Sequence, residues 1–127
     1  VRRMHTGMDF TAAKGSDIYS TGDGVVEVVK SELGGYGKHI IINHGYGYQS
    51  LYAHMVRFNV RPGQKIKRGD LIGFIGSTGT STAPHLHYEV IKNGEKINPA
   101  NFYSNDLTPE EYQLMLEISS AANQSFD

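Results

Sequence analysis

At 127 residues, with a formal net charge of −1 and acids and bases mixed along the chain, this sequence is sized for one domain. It lacks the basic field that nucleic acid or an anionic membrane surface requires. The absence of cysteine removes disulfides and thiolate metal sites, and no apolar run approaches the ~20 residues of a membrane span. No signal-peptide h-region is present; the abrupt start at Val1, just ahead of the first candidate ligand, is read as that of a processed or excised piece whose export signal is out of view.

Fifteen glycines, eight tyrosines and short β-branched runs predict a β-rich domain with tight turns. In chain order the strands are expected at Gly24–Lys30, Lys38–His44, Tyr48–His54, Leu71–Gly76 and His85–Ile91. Gly45-Tyr46-Gly47 turns the second of these into the third. Arg61-Pro62-Gly63-Gln64 and Arg68-Gly69-Asp70 read as further turns. Asn93-Gly94 is a two-residue hairpin signal that returns the chain through Glu95–Ile97. A helix is expected from about Pro109 to Ala122. Thr108 is its cap, Pro109 sits at the first helical position, Glu111 completes a Thr-x-x-Glu capping box, and Leu107 and Tyr112 form a staple. Leu114, Met115, Ile118 and Ala122 make one apolar stripe for docking on the β body, and Asn123 to Asp127 read as a frayed tail. The helix is read as packing, without chemistry.

Gly22–Val28 and Pro62–Gly76 both resemble pieces of the hammerhead of biotinyl and lipoyl carrier domains. No lysine sits in a tight apolar hairpin of the kind those carriers modify, so the likeness is taken as shared β-architecture rather than shared function. The expected fold is mainly β: an antiparallel sheet domain of the duplicated-hybrid-motif, lipoyl/hammerhead-like type, with one C-terminal α-helix. Residues 1–105 form the β domain and 106–127 a helical extension packed on it.

Chemistry concentrates at the two ends of this β domain. On a strand, residues i and i+2 share a face, so His85 and His87 present two imidazoles together. His5 and Asp9, four apart, can share a side whether extended or helical. Nitrogen and oxygen donors of this kind suit zinc, and three protein ligands leave a fourth position for water, the plan of a catalytic rather than a structural site. Alternation puts Leu86, Tyr88 and Val90 on the apolar side of the last strand and His85, His87 and Glu89 on the other. In Tyr48–His54, Leu51 and Ala53 point one way, and Tyr48, Ser50, Tyr52 and His54 the other, which brings His54 to the same cleft. Two histidines that are not ligands can serve as a general base and as a donor to a developing oxyanion. Spacing does not divide those jobs between His54 and His85.

These motifs together resemble the lysostaphin-like, LytM-type zinc endopeptidases that cut peptidoglycan peptides. The resemblance rests on His-x-x-x-Asp at 5–9, Gly-Asp-Gly-Val-Val at 22–26 and Tyr-Gly-Lys-His-Ile-Ile-Ile-Asn-His-Gly at 36–45. It continues with Leu-Tyr-Ala-His at 51–54 and Gly-Ser-Thr-Gly-Thr-Ser-Thr-Ala-Pro-His-Leu-His-Tyr-Glu at 76–89. It implies that His5, Asp9 and His87 hold Zn2+, that His54 and His85 are catalytic, and that a peptidoglycan peptide is the substrate, with action in the cell envelope, periplasmic or extracellular. Ala83 stands where that family usually has glycine. A regulatory segment or partner would lie outside this chain.

Other residues have blander readings. His39 and His44 flank an apolar strand and are read as structural or surface groups. Glu89 is a candidate to hydrogen-bond a ligand imidazole, with a salt bridge or simple exposure as alternatives. The Gly76 run lacks the Gly-Lys-Ser/Thr ending of a phosphate loop and is read as a polar cleft wall; no His-Glu-x-x-His helix supplies a glutamate base. Tyr36, Tyr46 and Tyr48 are candidates to line a peptide groove, and the loops Gly34–Gly37 and Arg57–Gly63 to shape specificity. Two other functions compete. One is a non-catalytic module of the same type that binds peptidoglycan or activates a separate amidase; its relatives commonly lack the ligands kept here. The other is a cupin-type metal barrel, which would need a histidine after His87, where there is none.

Overall fold

A computed structural model describes residues 2–4, 6–79, 81, 83–98, 109–114 and 116–117. The strands are β1 Arg2–Met4, β2 Gly7–Thr11, β3 Asp17–Tyr19, β4 Gly24–Ser31, β5 Lys38–Gly45, β6 Tyr48–Phe58, β7 Lys65–Ile66, β8 Leu71–Ile75, β9 His85–Lys92 and β10 Glu95–Ile97. They pair in the order β1-β2-β9-β6-β5-β4-β7, with β10 on β9 and β8 joining β3 to β6. Every pairing is antiparallel. Helix α1 occupies 109–114 and 116–117. The architecture is thus mainly antiparallel β with one helix near the C-terminus, as the turn-rich composition predicts.

Turn chemistry sets two hairpins. Tyr46 and Gly47 (φ 54° and 82°) and Asn93 and Gly94 (φ 50° and 84°) each carry two consecutive positive φ angles. That is the type I′ signature, whose twist matches the flanking strands. The two turns touch: the Asn93 N–H donates to the Gly47 carbonyl at 2.9 Å.

The register separates two faces. Across β2, β9 and β6, Met8, Tyr88 and Tyr52 lie opposite one another, as do Phe10 and Leu86. All are buried in the main hydrophobic cluster. The next row holds Asp9, His87 and Ala53. Because cross-strand partners share a face, one side of β9 builds the core and the other builds a cleft, as its alternation predicts.

Two expectations need correction. Tyr52 is not on the cleft side: it is fully buried, its ring 5.3 Å from that of Tyr88. Ser50 shares that side, so strict alternation would carry His54 into the core as well. It does not go there, because a bulge in β6 intervenes. The helix also docks by a different face. Tyr112 and Leu116, one turn apart, enter the core, while Leu114 is 54% exposed. Two residues along a helix is more than half a turn, so Leu114 cannot share the side of Tyr112. The Tyr112 hydroxyl donates to the Tyr19 carbonyl. Leu107, Thr108, Met115, Ile118, Ala122 and the tail from Asn123 to Asp127 lie outside the described residues. Among the described residues no helix is long and apolar enough to cross a membrane.

Tyr52 is buried with its hydroxyl satisfied. It accepts the Thr21 N–H at 2.9 Å and lies 2.8 Å from the Thr21 hydroxyl and 2.9 Å from Ser50 Oγ. Ser50 Oγ is 2.6 Å from His44 Nε2, and His44 Nδ1–H donates to the Asp23 carbonyl at 2.6 Å. His44 is therefore structural, as expected. Burial holds its pKa below the ordinary 6.5, although the Asp23 carbonyl opposes the shift. The unfolded chain then binds this proton before the folded one does, so stability contributed here is lost as pH falls below 6.5. Between about pH 7 and about pH 5 the thermal midpoint should fall more for the wild type than for His44→Gln. Parallel curves for the two proteins would contradict this.

Candidate active site

The cleft row is made by register. Asp9 on β2 faces His87 on β9, and Thr11 faces His85. The Asp9 segment, open between helix and strand in sequence, is extended. Ala53 beside His87 leaves room for the ring, and Gly7 is required next to it: a Cβ at Gly7 would sit 2.9 Å from His87 Cε1 and 3.1 Å from the Tyr88 carbonyl. Asp9 Oδ1 lies 2.8 Å from His87 Nδ1 and 3.8 Å from His85 Nε2.

His54 reaches the cleft through a bulge. The β5–β6 register shifts between Lys38/Met55 and Ile40/Tyr52, and His54 has a φ of 64°. One extra residue with left-handed backbone returns Met55 to the core and turns His54 to the side of Ala53. Period-two reading therefore names the right cleft for His54 by the wrong route. The strain is held by hydrogen bonds on both sides: His54 N–H donates to the Tyr36 carbonyl at 2.9 Å, and Gly76 N–H to the His54 carbonyl at 3.0 Å. Non-glycine residues in this region cluster at functional sites. The His54 ring centroid stands 4.9 Å from that of His85 and 6.0 Å from that of His87.

Hydrogen bonds assign tautomers. His54 Nδ1–H donates to the Thr78 carbonyl at 2.7 Å, leaving Nε2 as the nitrogen with a free lone pair in the neutral ring. Burial, reinforced by the neighbouring imidazoles and partly offset by that carbonyl, lowers the His54 pKa, so the ring is neutral at neutral pH. His85 Nδ1–H donates to the Ala83 carbonyl at 2.9 Å and lies 3.0 Å from Ser81 Oγ, again leaving Nε2 bare. This contact runs through the Ala83 backbone oxygen, so alanine in place of glycine removes no acceptor here.

His87 sits between two carboxylates. Nε2–H donates to Glu89 Oε2 at 2.8 Å, opposite the Asp9 contact on Nδ1. Burial disfavours its charge, but the hydrogen bonds and charges of Glu89 and Asp9 outweigh burial and hold its pKa above the ordinary value. Glu89 is 3% exposed, which removes the simple-exposure reading. Burial pushes its carboxyl up, but His87 and Tyr36 outweigh it and keep the group ionised. The Tyr36 hydroxyl lies 2.9 and 2.8 Å from the two Glu89 oxygens, and Lys96 Nζ 3.6 Å from one. A cavity of about 490 Å³ opens here, lined by Glu32, Gly35, Tyr36, His54 and His87.

Of the five site residues expected from sequence, the structure brings Asp9, His54, His85 and His87 together; His5 lies outside the described residues. Among the described residues no group of three His, Cys, Asp or Glu side chains is set to hold a metal. The donors present do fit one: Asp9 Oδ1 and His87 Nδ1 converge, and a divalent cation can replace the proton that now lies between them. His39 is buried, its Nδ1 3.1 Å from the Gly37 carbonyl. Of Tyr36, Tyr46 and Tyr48, only Tyr36 lines the cavity. Sequence reasoning took the Gly76 run as a polar cleft wall but missed the role of Thr78, whose hydroxyl donates to the Met55 carbonyl at 2.6 Å while its own carbonyl holds His54. Only a long-range contact reveals that role.

Residues 3–99 match the model of Peptidase family M23. The chain belongs to this family. The M23 domain is 44% identical over 99 residues to the DD-carboxypeptidase/endopeptidase Mpg of Neisseria meningitidis, covering 78% of this chain and 23% of that protein. It is 42% identical over 94 residues to the peptidoglycan DD-endopeptidase ShyA of Vibrio cholerae, covering 74% and 22%. It therefore spans under a quarter of the length of these curated relatives. Its fold superposes on the crystal structure of a zinc-containing peptidase from Vibrio cholerae with a TM-score of 0.71 and 39% identity, covering 74% of this chain and 29% of that one.

Proposed function

We propose that this M23 domain is a zinc-dependent endopeptidase that hydrolyses peptide bonds in the stem peptides or cross-links of bacterial peptidoglycan, acting in the cell envelope. The observation that carries this reading is the convergence of Asp9 Oδ1 and His87 Nδ1 at 2.8 Å beneath two further imidazoles. The peptidoglycan DD-endopeptidase relative and the zinc-containing structural neighbour support substrate and metal.

Asp9 and His87 would hold the ion, with His5 as third ligand on the strength of the family motif. Zinc bound there supplies Lewis-acid polarisation of the scissile carbonyl and makes water acidic near neutral pH. His54, neutral and with Nε2 bare, accepts the proton of the attacking water and can return it to the leaving amine. His85, oriented by Ala83 and Ser81, places Nε2 near Asp9; with a proton taken from solvent on that nitrogen it donates a hydrogen bond to the oxyanion that develops on the carbonyl, and keeps the proton as the oxyanion collapses. The cavity beside Tyr36 seats the peptide.

Incubating the zinc-loaded domain with defined muropeptides and reading the products by mass spectrometry tests the proposal. Cleavage at one type of amide bond is expected. A fully metallated protein inert on every muropeptide would overturn it.

A further inference from the structure

Glu89 is a buried carboxylate that no part of the proposed chemistry uses. Its surroundings are built: both oxygens lie within 2.9 Å of the Tyr36 hydroxyl, Oε2 takes the His87 Nε2–H at 2.8 Å, and Lys96 Nζ stands 3.6 Å away. Tyr36 is stacked on His87 at 6.2 Å between centroids with planes 20° apart, and Lys96 Nζ is 5.9 Å from the Tyr36 ring centre. Alternation on β9 places Glu89 on the His87 side, and a side chain two residues along reaches back to the far nitrogen of the ring. Leu51 lies across from Glu89 on β6 and makes that side of the carboxylate apolar.

We infer that Glu89 is a positioning residue that fixes His87 as the tautomer with Nδ1 free to bind a metal, and that pins the Tyr36 hydroxyl at the cavity wall by the same carboxylate. The assignment rests on the reading of Asp9 and His87 as zinc ligands and adds a tuning element to it. A carboxylate accepting from the outer nitrogen of a ligand imidazole fixes the ring and raises its basicity. Both nitrogens face a carboxylate at 2.8 Å; with Asp9 engaged by the metal, Glu89 is the acceptor left for the ring proton, so Nε2 keeps it and Nδ1 is bared. Lys96 balances the charge of Glu89 from the surface.

The test is the zinc dissociation constant of the whole chain, by competition with a chromophoric chelator, for wild type, Glu89→Gln and Glu89→Ala. Glu89→Ala should weaken zinc about 100-fold and Glu89→Gln, which keeps an acceptor but no charge, about tenfold. Long-range 1H–15N spectra of the zinc-loaded protein should show His87 protonated on Nε2 in wild type and Glu89→Gln, with that signal lost or exchange-broadened in Glu89→Ala. Glu89→Gln is nearly isosteric and remains informative if the alanine variant fails to fold. Zinc affinity equal to wild type in a folded Glu89→Gln, or an unchanged His87 spectrum in a folded Glu89→Ala, would overturn the inference alone. A wild-type chain that binds no zinc would instead overturn the proposed function on which it rests.

Discussion

His87→Ala is expected to lose zinc and turnover together, whereas His85→Ala keeps its zinc and loses turnover by about 10²- to 10⁴-fold. The two rings sit on one face of β9, two residues apart, and by composition are equivalent. Their nitrogens are not. His87 turns Nδ1 to Asp9 at 2.8 Å with Nε2 committed to Glu89. His85 commits Nδ1 to the Ala83 carbonyl and stands at 3.8 Å from Asp9 through Nε2. Loss of His87 also strands Glu89, a buried carboxylate, without its nearest cation, so this variant should be the less stable of the two. Zinc content by atomic absorption alongside turnover on one muropeptide decides the matter. Equal zinc loss in both variants, or full activity in either, would contradict the division of labour.

The second large effect belongs to His54. Both His54→Ala and His54→Gly should retain zinc and lose turnover by about 10²- to 10⁴-fold, because each removes the proposed base. Their stabilities should differ in the unusual direction. At a φ of 64° a side chain crowds the following carbonyl, a cost of about 1–2 kcal/mol that glycine does not carry. His54→Gly should therefore be more stable than His54→Ala by roughly 1 kcal/mol, a few degrees in thermal midpoint. A glycine variant less stable than the alanine one would mean that the backbone at this bulge is not strained.

Period two explains how far the sequence could be read. On β9 each residue alternates without interruption, so Leu86, Tyr88 and Val90 were predictable as core and His85, His87 and Glu89 as cleft. The same rule fails on β6, where a bulge at His54 inserts one residue out of phase. Tyr52 then belongs to the core and His54 to the cleft, although parity puts them together. Strands β1, β3 and β7, of 3, 3 and 2 residues, are too short to show a period. On α1 the apolar letters Tyr112 and Leu116 outweigh Leu114 only once the core they enter is known. The arrangement of Tyr36 and Thr78 around the histidines is tertiary. Each lies more than 20 residues from its partner, Tyr36 from Glu89 and Thr78 from His54. No local pattern carries such contacts.

One metal ion held between these residues is proposed to make the domain a peptidase. Titrating zinc into the metal-free chain while following hydrolysis of a defined muropeptide tests it most directly. Turnover should rise linearly with zinc, level off at one ion per chain, and vanish when a chelator removes it. Undiminished hydrolysis by the metal-free protein would contradict the account.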